Sequence, residues 1–490
     1  MREEKKNSYD LLFLLTYMAS ISTTDIERDR IFRYTSEQKG YPISIYFRQV
    51  YVLASKWGYE YSRACKYVSK KVKDEGLSDL LGRMATALAS GEPEKEFLKN
   101  EMKVGGEIFS NQYERNIEEL KTWTDGYTAL LISTTLVVTI ILISSMIYPM
   151  GNLRIMCFMV LLLLSAICGI GIFALYCSAP CEEKTHRLKH KSKEQKKSEF
   201  LARILLPAGG VITVLLFVKG VEIGYLFLTL AVFMLPSGIY ALINDRNIDK
   251  RDANFPVFIK TLGSLAGTMG ITTSSAMKKL DKETVGFLEP LVEKLYVSLS
   301  LDLKPVFCWE SFIGESGSEL INRSSRIFND AIDLGGNPAD VGQIVSSSSL
   351  AIVLLRMKRK LIGTGFTGMI FVLHTVMSGL LVFIFEIINF FSMIMDEMYS
   401  SHLLDMADEN MGSIGIPMNL FGVGEDIELL HMFTLAAVFI LTLSDAIAVK
   451  VTDGGGNYKL FFYGAVMFVL SGIVLICVPF VVSKVFIFEI

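Results

Sequence analysis

Seven stretches of the chain run for about 20 residues almost free of charge, the length a helix needs to cross the hydrocarbon core of a bilayer. They are Ala129–Tyr148, Ile155–Tyr176, Ile204–Val218, Ile223–Ile243, Gly363–Phe385, Leu430–Ala448 and Leu460–Val482. The third is the weakest, being short and interrupted by Pro207 and Gly209-Gly210; a packed neighbour can satisfy such a broken backbone. Only Lys219–Glu222 separate it from the fourth, so the two are expected to form a tight membrane hairpin.

Between these windows the pattern changes to that of amphipathic helices. In the block 250–355, Phe287, Leu288, Leu291, Val292, Leu295, Tyr296 and Leu299 line one face of a helix at the 3.6-residue period. Leu320, Ile321, Ile327, Phe328 and Ile332 continue the pattern until Gly335-Gly336 stops it, and Asn337-Pro338 supplies an N-cap and a first-turn proline for the next helix. The block 8–125 repeats the layout, with an apolar helix over Leu77–Ala89, a stop at Ser90-Gly91 and a restart at Glu92-Pro93. Tyr9 onward also matches Phe255 onward at an offset of about 245 residues. The expected organisation is an all-α polytopic membrane protein with about seven transmembrane helices and two cytoplasmic helical-bundle domains. Helical domain 1 covers 8–125, and 127–243 holds spans one to four with a basic loop at 177–204. Helical domain 2 covers 250–355, and 363–482 holds spans five to seven with an acidic loop at 395–428.

Composition fits this division, with 51% apolar residues alongside 20% charged ones that need water. The net charge of −3 gives no bulk attraction to nucleic acid. No cleavable signal opens MREEKKNSYD, so a cytoplasmic N-terminus is expected. From that start, 45 of the 48 Lys and Arg fall on the inner side, the loop 395–428 carries eight Asp and Glu and no Lys or Arg, and the C-terminus is placed outside. The seven cysteines are scattered, with no CxxC and no His/Cys cluster, which argues for packing thiols rather than disulfides or a metal site.

Three ionisable residues near or inside spans stand out, His374 near a midplane, Asp445 toward the inner boundary and Glu386 at the outer end of the fifth span. A proton or ion relay is one reading. Their dispersal favours polar packing between helices instead. The chain has no GxxxxGK[ST], HExxH or GxSxG, and the Gly454-Gly455-Gly456 run lacks the Lys-Ser or Lys-Thr of a phosphate loop. No catalytic residue, cofactor or metal site is expected.

Three segments, FPVFIKTLGSLAGTMGITTSSAMKKL, LGGNPADVGQIV at Leu334–Val345 and the GTGFTGMIFVLHTVMSGLLVFIF span after a basic stretch, resemble the type II secretion system F-domain family. These are inner-membrane platforms of type II secretion, type IV pili and archaella. The extra spans resemble its archaeal branch, which builds archaella and adhesive pili. The resemblance implies a non-catalytic homodimeric platform that couples a hexameric cytoplasmic ATPase to assembly of pilin-like or archaellin subunits. The candidate ATPase contacts are Lys189, Lys191, Lys193, Lys196 and Lys197 of the 182–198 loop, Lys278 and Lys279, and Arg356, Lys358, Arg359 and Lys360 before the fifth span. Topology and contact with anionic membrane lipid are the other uses of such clusters. A secondary transporter working through His374 and Asp445 is the rival reading; it requires His374, whereas a platform is expected to tolerate its replacement.

Overall fold

The computed structural model describes residues 2–24, 26–38, 40–147, 153–400 and 427–486. Among them the regular structure is entirely helical. Most of the acidic loop expected at 395–428, residues 401–426, lies outside the described residues. The chain divides into two compact units: unit 1 comprises 1–118, 180–196 and 243–360, and unit 2 comprises 119–179, 197–242 and 361–490.

Unit 1 contains two sets of helices laid out in the same order. The first is α1 (Arg2–Ile21), α2 (Arg28–Ser36), α3 (Ser44–Trp57), α4 (Tyr61–Ser69), α5 (Glu75–Ser90) and the start of α6 (Glu94–Ile147). The second is the end of α9 (Ile223–Met269), α10 (Thr273–Met277), α11 (Lys282–Val285) with a 3-10 turn at Gly286–Leu288, α12 (Glu289–Ser300), α13 (Pro305–Ser316), α14 (Glu319–Asp333) and the start of α15 (Pro338–Ser400). The punctuation has a local cause. Asp74 caps α5 by accepting the Leu77 N–H at 3.0 Å, and Ser318 caps α14 by accepting that of Ile321 at 3.3 Å. Gly91 (φ +72°) and Gly335 (φ +90°) end the same two helices in the left-handed region, where a side chain would be strained. Asn337 then accepts the Ala339 N–H at 2.9 Å, opening α15 at Pro338 as expected.

The two sets share one unit. Helix α1 packs along α14, Arg323 of α14 donates to Asp10 of α1 at 2.6 Å, and Thr16 donates to Ser348 at 3.0 Å. Phe13, Met18, Phe258 and Phe328 are buried in it. Close approach of α9 and α15 requires Gly263, whose added Cβ would lie 2.3 Å from the Pro338 carbonyl oxygen.

Unit 2 contains α7 (Leu153–Ser178), α8 (Lys193–Val218) from residue 197 on, α16 (Ile427–Asp453), α17 (Leu460–Phe486) and the apolar parts of α6, α9 and α15. Among the described residues, seven helices are long and apolar enough to span a membrane, one at each expected window. Helix α16 is the most enclosed, with 61% of its window buried, and α8 the least, at 11%. Val211, Val214, Phe217 and Val218 of α8 are exposed; surface of this kind is costly in water, at about 25 cal/mol per Å², and at home in acyl chains. Helix α8 runs unbroken through Pro207, with Gly209 set against Phe233 so closely that a Cβ would lie 2.6 Å from it. Helices α6 and α15 run without a break through Tyr127 and Gly363 respectively.

Candidate functional site

The 180–196 segment is a structural strap inside unit 1. Thr185 bridges to Ser318, the Glu319 N–H donates to the Lys184 carbonyl at 3.0 Å, and the His186 N–H donates to the Gly317 carbonyl at 3.3 Å. The His186 ring is buried. Its Nε2 lies 3.0 Å from the Gly314 carbonyl and its Nδ1 accepts the Leu188 N–H at 3.3 Å. This selects the neutral tautomer protonated on Nε2, because a second proton on Nδ1 would face an N–H donor. Burial accordingly pushes the His186 imidazole below its ordinary pKa.

Glu182 anchors the strap to helices from both sets. Arg356 of α15 donates to Glu182 and to Asp252 of α9, each at 2.8 Å, and to the Tyr9 hydroxyl at 3.2 Å. Arg359 donates to Glu182 at 3.4 Å and to the Pro180 carbonyl at 3.2 Å. Tyr113 donates to Glu182 at 2.8 Å. Burial alone would raise the Glu182 carboxyl, yet the two guanidinium groups hold it below the usual carboxylate range. Lys184 pairs with Asp245 at 2.9 Å and with Asp249.

This geometry corrects part of the expected ATPase-contact set. Arg356 and Arg359 are buried and committed to internal partners, so they do not present a surface to another protein. Their spacing carried the signal: Ile352, Leu355, Arg356 and Arg359 recur at i, i+3, i+4, i+7 on the buried face of α15. Lys358 and Lys360 are exposed, pairing with Glu114 and, at 2.7 Å, with Asp249. Lys189, Lys193, Lys196 and Lys197 are exposed and Lys191 is half-buried. Lys278 and Lys279 are exposed at the end of α10.

In unit 2 a second buried cluster joins residues that sequence spacing had left apart. His374 Nδ1 lies 2.8 Å from Asp445 Oδ2, and His374 Nε2 lies 2.8 Å from the Ser471 hydroxyl. Tyr127 donates to Asp445 Oδ1 at 3.0 Å, and Thr442 lies 2.7 Å from Ser471. Four helices, α6, α15, α16 and α17, contribute. The dispersal of His374 and Asp445 is thus corrected: an apolar side chain at 374 would remove one of the hydrogen-bond partners of the buried Asp445. Glu386 takes no part in these bonds. Among the described residues no group of three or more His, Cys, Asp or Glu is arranged to hold a metal ion.

The architecture is that of a multi-pass, all-helical membrane protein. The chain is 23% identical to flagella accessory protein J of Methanocaldococcus jannaschii, an alignment covering 99% of this chain and 86% of that protein. It is 21% identical to flagella accessory protein J of Methanococcus voltae, over 98% of this chain and 86% of that protein. No family model and no solved structure matches.

Proposed function

We propose that this chain is the membrane platform of an archaellum-type filament-assembly machine, a member of the archaeal branch of the type II secretion F-domain family that serves motility. It has no catalysis of its own. It couples a cytoplasmic hexameric secretion ATPase to the assembly of pilin-like or archaellin subunits. The observation that carries this reading is the nearly full-length similarity to two flagella accessory proteins J. The helical order of unit 1 supports it, as does the bias of Lys and Arg, which accords with a cytoplasmic unit 1. The surface assigned to the ATPase is the exposed part of the basic set, Lys189, Lys193, Lys196, Lys197, Lys278, Lys279, Lys358 and Lys360. An adhesive-pilus platform of the same family would use the same parts.

The test uses the full-length chain in nanodiscs with a purified hexameric secretion ATPase. Co-elution is expected, with loss on Lys189→Glu/Lys193→Glu/Lys196→Glu. A chain that retains no ATPase, in a strain whose deletion still assembles filaments, removes the proposal. The proton or ion relay is the second reading, favoured by the joined His374 and Asp445. Proteoliposomes holding the chain decide it, since a transporter must move protons or substrate down an imposed gradient and a platform leaves the gradient intact.

A further inference from the structure

The two helical sets of unit 1 each turn a corner at the same place in their order, α3 into α4 and α12 into α13. Gly58 (φ +71°) makes the first turn and Asp302 (φ +54°) helps make the second. Both corners expose large apolar side chains. Trp57 is 70% exposed, with Tyr59 and Tyr67 beside it in sequence also exposed; Leu301 is 68% and Phe307 64% exposed, with Leu303 and Val306 between them. Exposed clusters of this kind on a folded surface mark interaction sites, and Trp and Tyr are the residues that dominate binding energy in them.

The charges of the two corners are opposite. Residues 44–73 hold seven Lys and Arg against one acidic residue, Glu60. Residues 287–316 hold five Asp and Glu against two Lys. Lys66, Lys70 and Lys71 are exposed on the first corner, and Glu293, Asp302 and Glu310 on the second; none of the six makes an ion pair among the described residues. Lys71 instead lies over the Tyr67 ring at 4.3 Å.

We propose that the basic, aromatic α3–α4 corner of one copy docks on the acidic, aliphatic α12–α13 corner of a second copy. Every copy carries both halves, so a two-fold pair makes the contact twice and closes without leaving either corner uncovered. Like charges forbid α3–α4 from meeting α3–α4, which sets the pairing. The acidic α12–α13 corner disfavours a shared anionic bilayer as the occupant of both.

The test is a charge swap in the full-length chain in nanodiscs large enough for two copies, with one copy tagged for capture. Lys66→Glu/Lys70→Glu/Lys71→Glu alone is expected to weaken self-association at least 100-fold, and Glu293→Lys/Glu310→Lys alone to do the same. Mixing the two variants restores both contacts and rescues capture. All five positions are exposed, so unfolding midpoints stay unchanged. Trp57→Cys on one copy and Leu303→Cys on the other are expected to cross-link on oxidation above the wild-type background. A monomeric wild type, or a mixture that fails to rescue, overturns the pairing. So does a triple variant that still self-associates and has lost only its affinity for phosphatidylglycerol vesicles, which would make the corner a lipid-binding face.

Discussion

The two buried polar clusters solve the same problem with different chemistry. In unit 1, Arg356, Arg359 and Lys184 face Glu182, Asp252, Asp245 and Asp249, three basic side chains against four carboxyls. In unit 2, one histidine and one aspartate are completed by the hydroxyls of Tyr127, Ser471 and Thr442. A buried ion survives only with its partner in place, and the penalty grows as water is excluded. The difference teaches how each unit holds distant segments together, unit 1 by buried ion pairs and unit 2 by a hydroxyl network with few charges among apolar helices.

The largest expected effect tests the ionic half of that comparison. Arg356→Leu strands Glu182 and Asp252 in the interior, and a loss of about 3–5 kcal/mol is expected, read as a lowered unfolding midpoint and as protease cleavage within 180–196. Next, His374→Leu should cost about 1–3 kcal/mol by leaving Asp445 underpartnered. His374→Leu/Asp445→Leu should recover part of it; a double variant worse than the single would sink the idea of a coupled pair.

A smaller effect comes from pH. The folded pKa of His186 lies below its unfolded value, so the unfolded chain binds the proton more readily. The stabilisation is complete above the ordinary histidine pKa of about 6.5 and is lost as pH falls below it, at no more than about 1.4 kcal/mol per pH unit. Unfolding midpoints measured from pH 7.5 to 5.5 should fall, and His186→Asn should flatten that part of the curve. The smallest effect is on stability from Lys189→Glu/Lys193→Glu/Lys196→Glu. These exposed positions should shift the midpoint by about 0.5 kcal/mol or less, which separates loss of a partner from loss of fold.

Much of the fold was legible along the chain because its signals are local. A window of about 20 apolar residues is a length criterion, and seven such windows became seven helices. Gly335 followed by Asn337-Pro338 needs only backbone conformation to stop one helix and start another. The site was less legible. The basic run Arg356–Lys360 reads as one exposed cluster, whereas helical rotation turns Arg356 and Arg359 inward and leaves Lys358 and Lys360 outside.

The sequence by itself determined which segments are apolar enough to span and where the helices of unit 1 stop and restart, since each depends on neighbours within a few turns. Only the tertiary structure decided that Glu182, 174 positions before Arg356, is its partner, and that His374, Asp445, Ser471 and Tyr127 form one cluster. Those pairings are chosen by the need to satisfy a buried polar group with whatever the packed helices bring within 3 Å, and no local pattern encodes that neighbour.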